Sequence, residues 1–144
     1  MISGFHHVGI SVSDLDRSIT FYRDVFGMEQ TVPSFAFAGD NYSRIMALPD
    51  PRGRMTVMIR GTLALELFEY SSPSPKRQDP DRPVADHGLT HFGVWVDDID
   101  ATVARMADAG ARFHSEVLEF LGGMRAAYGR DPDGNVFELL EQKK

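Results

Sequence analysis

The sequence predicts an α+β fold of two similar modules, each a strand followed by a helix and then by further strands. Three observations predict it. The stretch from His7 to Asp16 (HVGISVSDLD) and the stretch from His91 to Asp100 (HFGVWVDDID) share His, Gly, Val and two Asp in register. Glu66 to Glu69 (ELFE) is answered by Glu138 to Glu141 (ELLE). Each opening segment alternates apolar and polar residues and then changes to helical spacing, the mark of a half-buried strand running into an amphipathic helix.

The elements follow in order. Val8, Ile10 and Val12 share one face of the first strand, and His7, Gly9 and Ser11 the other. Ser13 is placed as the helix N-cap, with Asp16 in the capping-box position. Leu15, Ile19, Tyr22 and Phe26 line the helix, and Gly27 stands where a C-cap glycine belongs. Strands are expected near 28–35, 42–48, 55–60 and 63–70, with Gly61 and Thr62 turning into the last. In the second module Phe92, Val94 and Val96 form the apolar face, Asp97 caps, Ile99, Val103 and Met106 line the helix, and Gly110 ends it. Strands are expected at 111–116, 123–130 and 135–141. Asp131-Pro132-Asp133-Gly134 is a hairpin turn, with Pro at the first central position and Gly supplying positive φ.

The chain of 144 residues is read as a single domain, 1–144. Module one covers about 5–70, a proline- and charge-rich linker 71–88, and module two about 89–141. Module one carries about a dozen extra residues, which loops tolerate. With 15 basic and 21 acidic residues the net charge is −6, which argues against a nucleic-acid partner or a polybasic membrane patch. Cysteine is absent, so thiolate metal sites, disulfides and a Cys nucleophile are excluded together. No apolar run reaches membrane-spanning length, and the N-terminus lacks a signal-peptide pattern, so a cytoplasmic location is expected.

Strand parity carries the functional expectation. If the helices cover the apolar faces, His7 and His91 lie on the opposite faces. Leu65 and Leu67 oppose Glu66, and Phe137 and Leu139 oppose Glu138, so both Glu fall on the His side. A carboxylate in an apolar strand is costly to bury alone, and a divalent cation removes that cost. An imidazole and carboxylate set suits one divalent metal per site: Ni, Zn, Co, Mn or Fe. The expected ligands are His7, Glu66, His91 and Glu138, with Glu138 and Glu66 also the expected catalytic carboxylates. His6 is expected on the other face. His87 and His114 are read as surface residues, and Glu69 and Glu141 as solvent-exposed. Phe68, Trp95, Arg125 and Tyr128 are candidate pocket residues, and Arg44, Arg125 or Arg130 could anchor an anionic small-molecule substrate.

At these residues the chain resembles the vicinal oxygen chelate superfamily, which includes glyoxalases, bleomycin-resistance proteins and extradiol dioxygenases. The matches are His7-Val8 with Asp14 to Tyr22 (DLDRSITFY) behind it, Leu65-Glu66-Leu67, Thr90-His91 with Val96-Asp97-Asp98, and Asp131 to Glu138 (DPDGNVFE). The resemblance implies paired βαβββ modules forming a cupped, incomplete mixed β-barrel, usually in homodimers. It also implies a divalent metal that chelates vicinal substrate oxygens. The ligand set looks most like glyoxalase I, and the implied activity is a glyoxalase-like or epimerase-like isomerase or lyase. Such an enzyme works by proton transfer next to a carbonyl, through a metal-bound enediolate. The stretch after Glu66 (LFEY) departs from the Thr- and Asn-containing segment of glyoxalase I, which leaves glutathione unassigned. Two alternatives stand: an extradiol-type, Fe(II)-dependent ring-cleaving dioxygenase, and a non-catalytic protein that binds or sequesters a small molecule.

Overall fold

The structure is a computed structural model and describes residues 1–143. The chain divides into two compact units, Met1–Arg77 and Gln78–Lys144.

The first unit opens with strand β1 (Val8–Ser11) and helix α1 (Leu15–Phe26). Strand β2 (Glu29–Phe37), helix α2 (Asp40–Met46), and strands β3 (Arg52–Arg60) and β4 (Leu63–Ser72) follow. The sheet order is β1-β4-β3-β2. The first strand runs parallel to the last, and the other neighbours are antiparallel. Leu15, Phe21, Tyr22 and Val25 of α1 are buried, as are Ile10, Met58, Leu65 and Leu67 of the sheet. The helix therefore covers the apolar face that the alternation marks out.

The second unit repeats the plan. Strand β5 (Phe92–Trp95) leads into helix α3 (Ile99–Asp108), followed by the short strands β6 (Arg112–Phe113) and β7 (Leu118–Glu119). A 3₁₀ turn at Leu121–Gly123 precedes strands β8 (Met124–Arg130) and β9 (Val136–Gln142). The order is β5-β9-β8-β6, with β7 also on β8, and again the first strand is parallel to the last. Ile99, Met106, Phe137 and Leu139 make its core. The α+β class and the strand, helix, strands order of both modules are borne out. Among the described residues no helix is long and apolar enough to cross a membrane.

The structure corrects four local expectations. The segment 42–48 is not a strand but lies largely in α2, where Tyr42, Ile45 and Met46 stand at helical spacing. The N-caps are Asp14 and Asp98, not Ser13 and Asp97. Each has extended backbone and accepts the N–H three residues on, from Arg17 and Ala101, at 3.0 Å. The stretch 111–116 is strand only at Arg112–Phe113, and β7, which the sequence reading missed, pairs with β8 farther along. Glu69 and Glu141 are partly buried and paired instead of standing free in solvent. Glu69 accepts the backbone N–H of Leu15 and is bridged by Arg54, while Glu141 accepts that of Ile99 and is bridged by Arg125. A carboxylate facing the first orphan N–H groups of a helix complements its dipole.

Gly27 caps α1 in the left-handed region, as expected. The Asp131–Gly134 turn also forms. Asp131 is buried and accepts from the backbone of Asp133 and Asn135 and from the Asn135 amide, and the Gly134 N–H closes the turn on the Asp131 carbonyl. Residues 73–91 form no helix or strand. Part of this segment is nonetheless fixed on the second unit, where Arg112 pairs with Asp81 and Arg130 donates to the Arg82 carbonyl.

Candidate metal and substrate site

Register places the four expected ligand residues as two matched pairs. In β1 against β4, Gly9 stands opposite Glu66, and in β5 against β9, Gly93 stands opposite Glu138. Leu65, Leu67, Phe137 and Leu139 on either side of the Glu residues are fully buried under the helices. The carboxylates therefore emerge on the other face, where the small glycines leave room. A Cβ built on Gly93 would lie 3.4 Å from Glu138 Oε2.

His7 and His91 stand just before β1 and β5. His7 Nε2 is 3.2 Å from Glu66 Oε2, and His91 Nε2 is 3.2 Å from Glu138 Oε2. The other ring nitrogen is held in each case by the preceding residue. His6 Nδ1 lies 2.6 Å from His7 Nδ1, and Thr90 Oγ1 lies 2.9 Å from His91 Nδ1. His6 thus contacts His7 instead of turning away from it. Fixing Nδ1 fixes the ring orientation and leaves Nε2 aimed at the carboxylate, as a metal-binding histidine requires.

The donor chemistry fits a divalent cation. Adjacent ligands with bonds of about 2.0–2.2 Å stand about 3 Å apart, close to the His–Glu separation in both units. Imidazole and carboxylate together suit Zn, Fe, Ni, Co or Mn. Among the described residues no group of three or more such side chains is clustered to hold a metal, so the fold presents its donors as two pairs.

The second unit adds features the first lacks. Tyr128 pairs across strands with Glu138, where the first unit has Val57 opposite Glu66. The Tyr128 ring lies 4.7 Å from that of His91, with its hydroxyl 3.4 Å from Nε2. Burial, then the Glu138 carboxylate, raises the phenol pKa above its ordinary value, so the hydroxyl remains a donor. A cavity of about 490 Å³ opens here, with Glu138, Tyr128 and His114 among its lining residues. Desolvation, followed by the nearby Arg130 and Arg112 charges, lowers the His114 pKa and favours the neutral ring. Sequence reasoning missed His114 because it belongs to no repeat. The only available signal was a histidine just after an apolar strand residue.

The other candidate pocket residues have different surroundings. Phe68 packs in an aromatic cluster, stacked with Tyr70 and edge-on to Phe37. Trp95 is 66 % exposed. Arg125 is not available to anchor a substrate, because Glu141 and Asp100 bind its guanidinium at 2.8 and 2.7 Å. Arg130 is buried and donates to the Gly134 and Arg82 carbonyls. Arg125 is the repeat mate of Arg54, which bridges Glu69 and Asp16.

A sequence profile of the Glyoxalase/Bleomycin resistance protein/Dioxygenase superfamily matches residues 4–139. The chain belongs to this superfamily. It is 33 % identical over 144 residues to a 2-epi-5-epi-valiolone epimerase from Actinomyces sp., covering 94 % of this chain and 77 % of that protein. It is 30 % identical over 141 residues to a lactoylglutathione lyase from Haemophilus influenzae, covering 95 % and 91 % of the two chains. The crystal structure of a glyoxalase family protein from Bacillus cereus superposes with a TM-score of 0.91 over 100 % of this chain and 97 % of that one, at 24 % identity. The fold is therefore glyoxalase-like, and family members similar to this chain include an epimerase and a lyase.

Proposed function

We propose that the protein is a divalent-metal-dependent enzyme that moves a proton next to a carbonyl, as a glyoxalase-like or epimerase-like isomerase or lyase. His7, Glu66, His91 and Glu138 are its metal ligands. The observation that carries this reading is the repeat-related His–Glu geometry, in which two Nε2–Oε2 pairs at 3.2 Å each have Nδ1 held by the neighbour. The relatives named for epimerase and lyase activities favour the same class.

A bound divalent cation would act as a Lewis acid toward the substrate's oxygens, which makes the adjacent C–H more acidic. The chain's own carboxylates then move the proton. Glu138 opens onto the cavity, takes the proton from the substrate carbon and becomes a carboxylic acid. Returning that proton to the neighbouring carbon, while the hydroxyl proton passes to the former carbonyl oxygen, completes an isomerisation and regenerates the carboxylate, whereas an epimerisation takes its proton from a second acid on the opposite face. Glu66 is the matched carboxylate in the other repeat and can serve as the second proton carrier. The Tyr128 hydroxyl, beside both Glu138 and His91, donates a hydrogen bond toward substrate oxygen.

The test begins with chelation and elemental analysis of the purified protein, followed by addition of Ni, Co, Mn, Fe(II) or Zn. Proton–deuterium exchange is then followed on α-hydroxy ketones and acyl thioesters. Metal-dependent exchange is expected. Glu138→Gln and Glu66→Gln should fold normally and lose turnover by about two or more orders of magnitude. Undiminished turnover in either variant would remove that residue from catalysis. Oxygen uptake with catechols under Fe(II), without proton exchange, would replace the isomerase reading with ring cleavage.

A further inference from the structure

The first unit carries, beside its own His–Glu pair, a feature that the second unit lacks. Glu66, Phe68 and Tyr70 alternate along β4 and share the face away from α1, because Leu65 and Leu67 on the other face are fully buried. Gly9 stands opposite Glu66, and a Cβ built on it would meet the Phe68 ring at 3.8 Å. The Phe68 ring therefore adjoins the donor pair. Aromatic surface continues from there along the strand. Phe68 stacks on Tyr70 with ring centroids 5.9 Å apart, and both stand edge-on to the buried Phe37. This shelf has no internal copy. Phe68 pairs with Met55 and Tyr70 with Gly53, whereas the matched pairs of the second unit are Leu140 with Ala126 and Gln142 with Met124.

Helix α2 closes the far end of the shelf. The Tyr42 ring lies 5.3 Å from that of Phe37, and Met46 Sδ lies 3.8 Å from the Tyr70 hydroxyl. The helix buries none of its own residues, and Ile45 is 83 % exposed. It adds little to the core, while its half-buried Tyr42 and Met46 both rest on the aromatic surface. The second unit has only a 3₁₀ turn before β8.

We infer that Phe68 and α2 determine specificity: the shelf receives one flat, apolar ring carried next to the substrate carbonyl, and Tyr42 and Met46 stop a longer group. This rests on the reading of Glu66 as a metal ligand. By the rise of a strand, Phe68 stands about 7 Å from Glu66 and Tyr70 about 13 Å from it. A ring attached to a carbonyl at Glu66 thus lies over Phe68, where it gains burial and ring–ring attraction. The Met46 thioether offers a further soft contact at the ring edge. A second ring in line with the first runs into α2.

Three neutral α-hydroxy ketones differ only in this group: hydroxyacetone with a methyl, phenacyl alcohol with one ring, and p-phenylphenacyl alcohol with two linked rings. Their affinities are measured by calorimetry on the chelated and the nickel-loaded protein, and kcat and KM for proton exchange are measured separately. Phenacyl alcohol is expected to bind about tenfold more tightly than either of the others. Phe68→Leu should remove most of that advantage. Tyr42→Ala and Met46→Ala should each tighten the two-ring ketone severalfold, lowering its KM with kcat unchanged, and alter phenacyl alcohol less. These two positions lie on a helix without buried residues, so they carry the test should Phe68→Leu misfold. No gain from one ring over methyl, or α2 variants that leave the two-ring ketone as weak as before, would overturn the inference. A protein that shows metal-dependent exchange without this order of affinities loses only the shelf assignment. One that keeps the order in its chelated form but takes up no nickel loses only the metal chemistry.

Discussion

At the scale of single residues, the contacts behind each histidine matter as much as those in front. Thr90 and His6 occupy equivalent positions and hold Nδ1 of His91 and His7, so each ring presents Nε2 to its Glu. Thr90→Val removes the partner while keeping the shape, and it should weaken metal binding by about 10–100-fold with little change in thermal stability. Competition with a fluorescent chelator measures this, and unchanged affinity would show that the Thr90 contact does not tune the ligand. His114 yields a pH prediction. Desolvation, then Arg130 and Arg112, lower its pKa in the folded chain. As pH falls through the ordinary histidine range, the unfolded chain takes up the proton first. Stability contributed by the neutral ring is therefore present above that range and lost as pH drops through it. An NMR titration should place the His114 midpoint below the usual histidine value. His114→Asn should flatten the decline in stability between about pH 7 and pH 5, and an equally steep decline in that variant would assign the effect to other groups.

At the scale of elements, the repeat extends further than the ligands. Glu69 with Arg54 and Asp16, and Glu141 with Arg125 and Asp100, tie the last strand of each unit to the start of its helix. Glu141 is the less exposed of the two carboxylates, at 12 % against 31 %. Glu141→Gln should therefore lower the denaturation midpoint more than Glu69→Gln does, and the reverse order would mean that the helix contact, longer at Leu15 than at Ile99, is not what matters. Close approach sets another limit in β8. A Cβ on Gly129 would overlap the Phe137 ring, a buried core side chain. Gly129→Ala should cost about 1–3 kcal/mol by overpacking, measured by urea denaturation, while Gly9→Ala, whose Cβ would meet only Phe68 at an ordinary 3.8 Å, should be nearly neutral. The caps and α2 show where local reading fails. Ser and Asp at adjacent positions both satisfy the N-cap preference, and only the backbone turn decides that Asp14 and Asp98 take the role. Around Tyr42, Ile45 and Met46 a short apolar run fits either a strand or a helix, and the packing of Tyr42 on Phe37 and of Met46 on the Tyr70 hydroxyl accompanies the helix.

At the scale of the whole molecule, the internal repeat made the sequence legible. Period-two alternation around Glu66 and Glu138, anchored by buried leucines and Phe137, was enough to put each Glu on the face away from its helix, and the strand register agrees. What departs from the repeat was less legible. Tyr128 reads from the sequence only as one of four candidate pocket residues and His114 as a surface residue, because Val57 stands opposite Glu66 in the first unit and His114 belongs to no repeat. This asymmetry separates two roles that the repeat alone makes look equal. Each His–Glu pair has the donor chemistry for a metal, and the lining of the second-unit cavity includes Glu138 and Tyr128. Under the proposed ligand set, Glu66→Gln and Glu138→Gln should each lower the affinity for the divalent ion in a metal titration of the chelated protein. Tyr128→Phe should leave the stoichiometry and affinity within about threefold of the unsubstituted protein and lower the exchange rate by about 10–100-fold. Equal loss of metal affinity from Tyr128→Phe would make the tyrosine a support for His91. An unchanged exchange rate would remove it from the reaction, leaving Glu138 as the group that links the metal pair to the cavity.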